Sequence, residues 1–136
     1  MKYLSTRDHS LKKSFNEILY QGLSKDGGLY LPVEWPTIDI ENLQNKSYED
    51  VALEIIFPFV KENFSKKDLQ NILNESYENF RHKKRAPVKQ LETNKYILEL
   101  IYGPTYAFKD YALQFLGKLF SNSLFKNPKK ITVLGA

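Results

Sequence analysis

Cysteine is absent from the 136 residues, which excludes disulfides, thiolate nucleophiles and thiolate metal ligands. Histidine is almost as scarce: His9 and His82 stand alone, neither with an i, i+4 partner, so no metal site is expected. Only six glycines occur, and they form neither a dinucleotide-binding fingerprint nor a phosphate-binding loop. No internal repeat is visible. No apolar run approaches the ~20 residues that cross a bilayer, and the start, Met1 to Asp8, lacks the apolar segment of a secretory leader. These absences point to a cytoplasmic protein without a membrane partner.

What is present is a globular composition, in which 42% hydrophobic residues accompany 26% charged ones and disorder is therefore disfavoured. The net charge of +4 raises nucleic acid as a partner, because Arg81, Lys83, Lys84, Arg85 and Lys89 fall in one short stretch. No nucleic-acid motif accompanies the cluster, and such runs are usually solvated. It is read instead as a boundary, with a mainly helical region at 1–85 and a second domain at 86–136.

Within the first region, Ser14 and Glu17 have the spacing of a capping box, and Gly22 suits the end of the short helix they open. Asp26-Gly27-Gly28 predicts a turn, and Leu31 to Pro36 an extended segment. A second helix is predicted from Ser47, with Tyr48, Val51, Ala52, Ile55, Ile56, Phe59 and Val60 recurring at three and four, and Pro58 bending or splitting it. A third follows Ser65, with Leu69, Ile72, Leu73, Ser76 and Phe80 on its inner face.

The second region carries the chemistry. Tyr96 to Tyr102 predicts a strand, Gly103-Pro104-Thr105 a turn, Ala107 to Phe125 a helix, and Lys129 to Leu134 a second, parallel strand. Advancing about 100° per residue, Lys109 aligns with Leu113, Leu116 and Phe120 rather than with Asp110, Gln114, Lys118 and Ser121. A lysine facing a core disfavours its own protonated form, which frees the amine for nucleophilic chemistry. The same position also fits a lysine that runs its stem along the surface and reaches solvent. The end of a strand beside a helix N-terminus is where open α/β sheets bind ligands, and its free N–H groups favour anions. Thr105 is predicted to cap the helix or line a pocket. Asp110 is read as a charge favourable to the helix dipole rather than as a catalytic acid. Phe108 and Tyr106 either wall the site or simply pack.

Leu98-Glu99-Leu100-Ile101-Tyr102-Gly103-Pro104-Thr105-Tyr106-Ala107-Phe108-Lys109-Asp110 resembles the pyridoxal-phosphate attachment segment of threonine synthases. Tyr3-Leu4-Ser5-Thr6-Arg7, Ser14-Phe15, Gly22-Leu23 and Asp26-Gly27-Gly28-Leu29-Tyr30-Leu31-Pro32 resemble the amino-terminal signature of the same enzymes, in the same order. Tyr102 departs from the His of many members and Tyr106 from a frequent Leu, which touches substrate-side packing and leaves the amine in place.

The resemblance implies an α/β fold: a threonine-synthase-like N-terminal domain at 1–85, then the first β-α-β unit of a fold-type II pyridoxal-phosphate enzyme domain at 86–136. It implies a carbon-oxygen lyase acting on O-phospho-L-homoserine and water to give L-threonine and phosphate. Lys109 would hold pyridoxal 5'-phosphate as a Schiff base and later serve as the mobile base, with Phe108 beside the cofactor. The cofactor's phosphate cup and ring-nitrogen partner would lie beyond Ala136, so the chain reads as an amino-terminal fragment, inactive alone. Other enzymes of this cofactor fold, such as serine or threonine dehydratases, and a non-catalytic homologue are the alternatives.

Overall fold

The computed structural model describes residues 1–126 and 128–132. The backbone divides into two compact units, Met1–Leu73 and Asn74–Ala136.

In the first unit β1 (Lys2–Ser5) is the centre of a three-stranded antiparallel sheet, flanked by β2 (Lys12–Ser14) and β3 (Tyr30–Pro32). Alternation along β1 buries Tyr3 and Ser5. Two lysines on β2 and Pro32 on β3 are compatible with edge positions, where unpaired backbone must be discouraged from further pairing. The sheet is an addition to a first region whose helices hold more residues than its strands, as expected. Strands of three or four residues are too short to display a period-2 pattern, and only the extended Leu31-Pro32 segment was legible.

The turn at Asp26-Gly27-Gly28 is bound to the end of β1. Asp26 Oδ1 accepts from Ser5 Oγ (2.9 Å) and from the Gly28 N–H (2.8 Å), while the Arg7 N–H donates to Ser5 Oγ. The Gly28 amide, then the Ser5 hydroxyl, hold the Asp26 carboxyl below the usual carboxylate range. Gly27 has φ +76°, and a Cβ on Gly28 would collide with Ser5 Oγ. The two halves of the amino-terminal signature are thus one hydrogen-bonded knot.

Three helices of the first unit follow their sequence signals. The Glu17 carboxylate reaches back to Ser14 N and Oγ (both 2.7 Å) at the start of α1 (Phe15–Ile18). Ser47 Oγ accepts from the Asp50 N–H (3.1 Å) and opens α2 (Tyr48–Val60). Ser65 Oγ accepts from the Asp68 N–H (3.1 Å) ahead of α3 (Lys66–Tyr77), whose last four residues belong to the second unit. α2 runs unbroken through Pro58 to Val60, so of the expected bend or split the split does not occur. The ring removes one bond, the one that would run to the Glu54 carbonyl. Leu53, Val60, Phe64, Leu69, Ile72 and Leu73 are buried. Tyr3 joins them: its ring lies 6.2 Å from Phe15, which meets Phe64 edge-on, and its hydroxyl donates to the Phe59 carbonyl (2.6 Å).

The second unit contains a hairpin of β4 (Val88–Glu92) and β5 (Lys95–Leu98), turned through Asn94 at φ +63°, and α4 (Asp110–Lys126). Tyr77 and Phe80 are buried here with Leu119. Phe80 meets Tyr77 and Tyr111 edge-on at 5.1 and 4.9 Å, and the Tyr77 hydroxyl donates to the Tyr111 carbonyl. Three predicted boundaries move. The strand expected over Tyr96–Tyr102 ends at Leu98 and pairs antiparallel within a hairpin. The helix begins at Asp110, not Ala107, because residues 107–109 form a tighter turn in which Asp110 N–H donates to Ala107 O and Tyr111 N–H to Phe108 O. The strand expected over Lys129–Leu134 is not formed over Lys129–Thr132, and Val133 and Leu134 lie outside the described residues.

Burial, and next the charge of Glu62, push the Tyr3 phenol up to about 12. A raised phenol pKa in the folded state means that the proton is held more tightly than in the unfolded chain, so the resulting stability is complete below about pH 10 and is lost as pH rises through 12. We expect Tyr3→Phe to flatten the alkaline stability loss of the full-length protein by about 1 kcal/mol, the figure being small because the group is partly screened. Urea midpoints of wild type and variant compared at neutral and alkaline pH test this; parallel losses would refute it.

Candidate functional site

Between β5 and α4 the chain makes an irregular turn, Gly103 to Lys109, fixed from both sides. From below, the buried Asp110 carboxylate (3% exposed) accepts from the Thr105 N–H (2.8 Å) and from Thr105 Oγ1 (2.9 Å). Gly103 lies so close that a Cβ there would collide with the Asp110 side chain. From above, Arg81 spans the turn: its N–H donates to Tyr102 O (2.9 Å), Nη1 to Gly103 O and Nη2 to Pro104 O (3.2 Å). Its guanidinium sits 4.1 Å from the centroid of the Tyr106 ring, and Tyr106 itself has φ +62°.

Lys109 ends this turn. It is exposed, which corrects the expectation of a core-facing amine. The predicted alignment with Leu113, Leu116 and Phe120 is geometrically sound, but that stripe lies about 110° around the helix from the one that holds Phe115 and Leu119. Leu119 is buried, whereas Leu113 (56%) and Leu116 are exposed. Periodicity identifies faces; it does not say which face is covered. The Lys109 amine has no hydrogen-bond or ion-pair partner among the described residues, and the exposed apolar side chains of Phe108 (65%), Tyr106 and Leu113 are its near neighbours in sequence.

Asp110 stands at the first position of α4, where a negative charge suits the dipole as the sequence suggests, and it is in addition buried and engaged with Thr105. Thr105 spends its hydroxyl on that carboxylate instead of on an α4 amide. Tyr102 donates to Glu99 Oε2 (2.8 Å), a bond that raises the phenol pKa above its ordinary value, with burial and the Glu99 charge adding to it. The His82 ring lies 4.9 Å from that of Tyr102. The basic stretch contributes to the same architecture: Arg85 Nη1 donates to Phe80 O, and the Arg85 carbonyl accepts from the Tyr111 hydroxyl (2.7 Å). Sequence reasoning missed Arg81 because its placement in a run of cations concealed three specific acceptors.

A family model described as threonine synthase N terminus matches residues 2–77. The chain belongs to that threonine synthase family. The threonine synthase of Pseudomonas aeruginosa is 39% identical over 139 residues, an alignment covering 100% of this chain and 30% of that protein. That of Schizosaccharomyces pombe is 40% identical, with 100% and 29% covered. Among solved structures, a pyridoxal-phosphate-bound threonine synthase from Brucella melitensis superposes with a TM-score of 0.91 at 39% identity, covering 96% of this chain and 29% of the other. Threonine synthase from yeast gives 0.85 at 38%, with 92% and 26% covered. The mixed α/β fold is therefore that of the N-terminal part of threonine synthases, and the chain spans about 30% of the length of these relatives. The resemblance read from Tyr3–Pro32 and Leu98–Asp110 is borne out at the level of the family.

The grip on the turn can be measured. Asp110→Ala leaves the Thr105 N–H without its acceptor, which should lower unfolding stability of the protein by about 1–3 kcal/mol, whereas Asp110→Asn keeps an acceptor and should lose less. Equal losses in denaturant titrations would show that the bond to Thr105 is not what holds Asp110.

Proposed function

We propose that the chain is the N-terminal part of a threonine synthase that converts O-phospho-L-homoserine and water to L-threonine and phosphate, with Lys109 as the residue that carries pyridoxal 5'-phosphate. The observation that carries this reading is the Lys109 amine itself, exposed and unpartnered among the described residues on a turn that is otherwise fully tied down. A surface lysine kept for solubility needs no such turn beneath it. An amine without a carboxylate partner is the donor that an aldehyde cofactor requires, so the residues present fit the group.

Pyridoxal phosphate, when bound, supplies the electron sink that makes the α and β carbons of an amino-acid substrate acidic. Lys109 would hold it through its amine nitrogen, and the same amine would be the base that takes and returns protons at those two carbons. Phe108, the preceding residue and an exposed apolar side chain, would offer the bound group an apolar surface that limits water at the reacting atoms. Asp110 stays out of the chemistry, since its oxygens are committed to Thr105; its part is to hold the turn that presents Lys109.

The test is borohydride trapping of the full-length protein, in its natural reading frame, with pyridoxal phosphate, followed by mapping of the modified peptide. Reduction should fix the adduct on Lys109. Lys109→Ala should eliminate both the adduct and phosphate release from O-phosphohomoserine, while changing stability by no more than about 0.5 kcal/mol, as expected of an exposed side chain. Substantial turnover by that variant would sink the assignment.

A further inference from the structure

Arg81 stands outside the segment that carries Lys109, separated from it in sequence by the whole β4–β5 hairpin. Its hydrogen bonds nevertheless converge on that segment. Three carbonyls in succession, those of Tyr102, Gly103 and Pro104, accept from its backbone and guanidinium N–H groups, and its planar face covers the Tyr106 ring. Tyr106 needs that cover. A left-handed backbone is unfavourable for any residue with a Cβ, and such residues persist where their surroundings over-determine them. Rotation at Tyr106 would swing Ala107, Phe108 and Lys109 together, because the next fixed point is the tight turn into α4.

We propose that Arg81 is a positioning residue for Lys109: by clamping the carbonyls before Tyr106 and covering its ring, it fixes the left-handed turn that presents the amine to pyridoxal phosphate. The inference rests on the reading of Lys109 as the cofactor-bearing residue. Guanidinium suits the task for geometric reasons. A planar fork meets two neighbouring carbonyls at once and stacks on an aromatic face, whereas an ammonium is a point charge that does neither. Charge alone is therefore not the requirement. The step that Arg81 governs is a condensation, in which the Lys109 nitrogen replaces the aldehyde oxygen of the cofactor and that oxygen leaves as water, with no change of oxidation state.

The experiment uses the full-length protein stripped of cofactor, then mixed with pyridoxal phosphate. The rate of adduct formation is followed by absorbance and its site is fixed by borohydride and peptide mapping. Arg81→Lys keeps the charge and should slow capture at Lys109 by about tenfold or more, lowering kcat similarly while KM changes little, since misplacing a reacting group by about 1 Å costs up to about a hundredfold. Tyr106→Gly adopts the left-handed backbone freely, so in that background Arg81→Lys should slow capture by no more than about threefold. Tyr106→Ala retains the backbone penalty without the ring and should slow capture even where Arg81→Lys does not fold. Unchanged capture at Lys109 in a folded Arg81→Lys, or in Tyr106→Ala, overturns the proposal alone. A wild-type adduct on a lysine other than Lys109 overturns the parent reading as well.

Discussion

A carboxylate placed at 3% exposure without a cationic partner among the described residues must have its charge met by dipoles, and Asp110 meets that requirement with the Thr105 amide, the Thr105 hydroxyl and the first turn of α4. Each of these constrains geometry. The amide fixes the chain at Thr105, the helix fixes the direction in which α4 leaves, and the space around the carboxylate requires residue 103 to be glycine. The turn between β5 and α4 is therefore set around one side chain, and Lys109, immediately before it, inherits its place from Asp110. The adjacency of lysine and aspartate is physical: one residue presents the amine, the next anchors the backbone that presents it.

The same economy appears at the other end of the chain. Asp26 organises a turn by accepting from Gly28 N and Ser5 Oγ, with Gly28 required to be small where it passes Ser5. Both segments through which the family resemblance was read are thus carboxylate-centred turns with a glycine in close approach. Such turns tolerate little substitution for steric and hydrogen-bonding reasons, independent of catalysis. Motif strength in the Asp26–Leu29 segment consequently testifies to fold. Only the amine of Lys109, unpartnered among the described residues, adds a chemical argument to it.

Helix starts were legible because capping is local: Ser14, Ser47 and Ser65 each lie three residues before the group they engage, within the reach of a sequence reading. The α3 face was legible for the same reason, with Leu69, Ile72, Leu73 and Ser76 buried as their spacing predicts, and Phe80, expected on the same face, buried just past the end of the helix. The small sheet was not, since Lys2–Ser5 finds its partners at residues 12–14 and 30–32 through backbone bonds that side-chain identity does not encode. Arg81 was illegible on the same principle. Its acceptors are carbonyl oxygens, which every residue possesses, so nothing in the sequence distinguishes Arg81 from Lys83 or Lys84 beside it.

The exposed stripe of Lys109, Leu113 and Leu116 shows why an alignment can be sound and its environment misjudged. A period of 3.6 groups residues by direction and is silent about what stands in that direction. α4 carries one broad apolar arc, with Phe115 and Leu119 toward one edge and Leu113 and Leu116 toward the other, and Asp110, Gln114, Lys118 and Ser121 hold the polar side. Phe125, 88% exposed near its end, falls outside that arc. The turn and the helix thus divide the work around Lys109: the hydrogen bonds of Asp110 and Arg81 fix the backbone on which it stands, while the exposed Leu113 and Leu116 set the apolar character of the stripe it leads into.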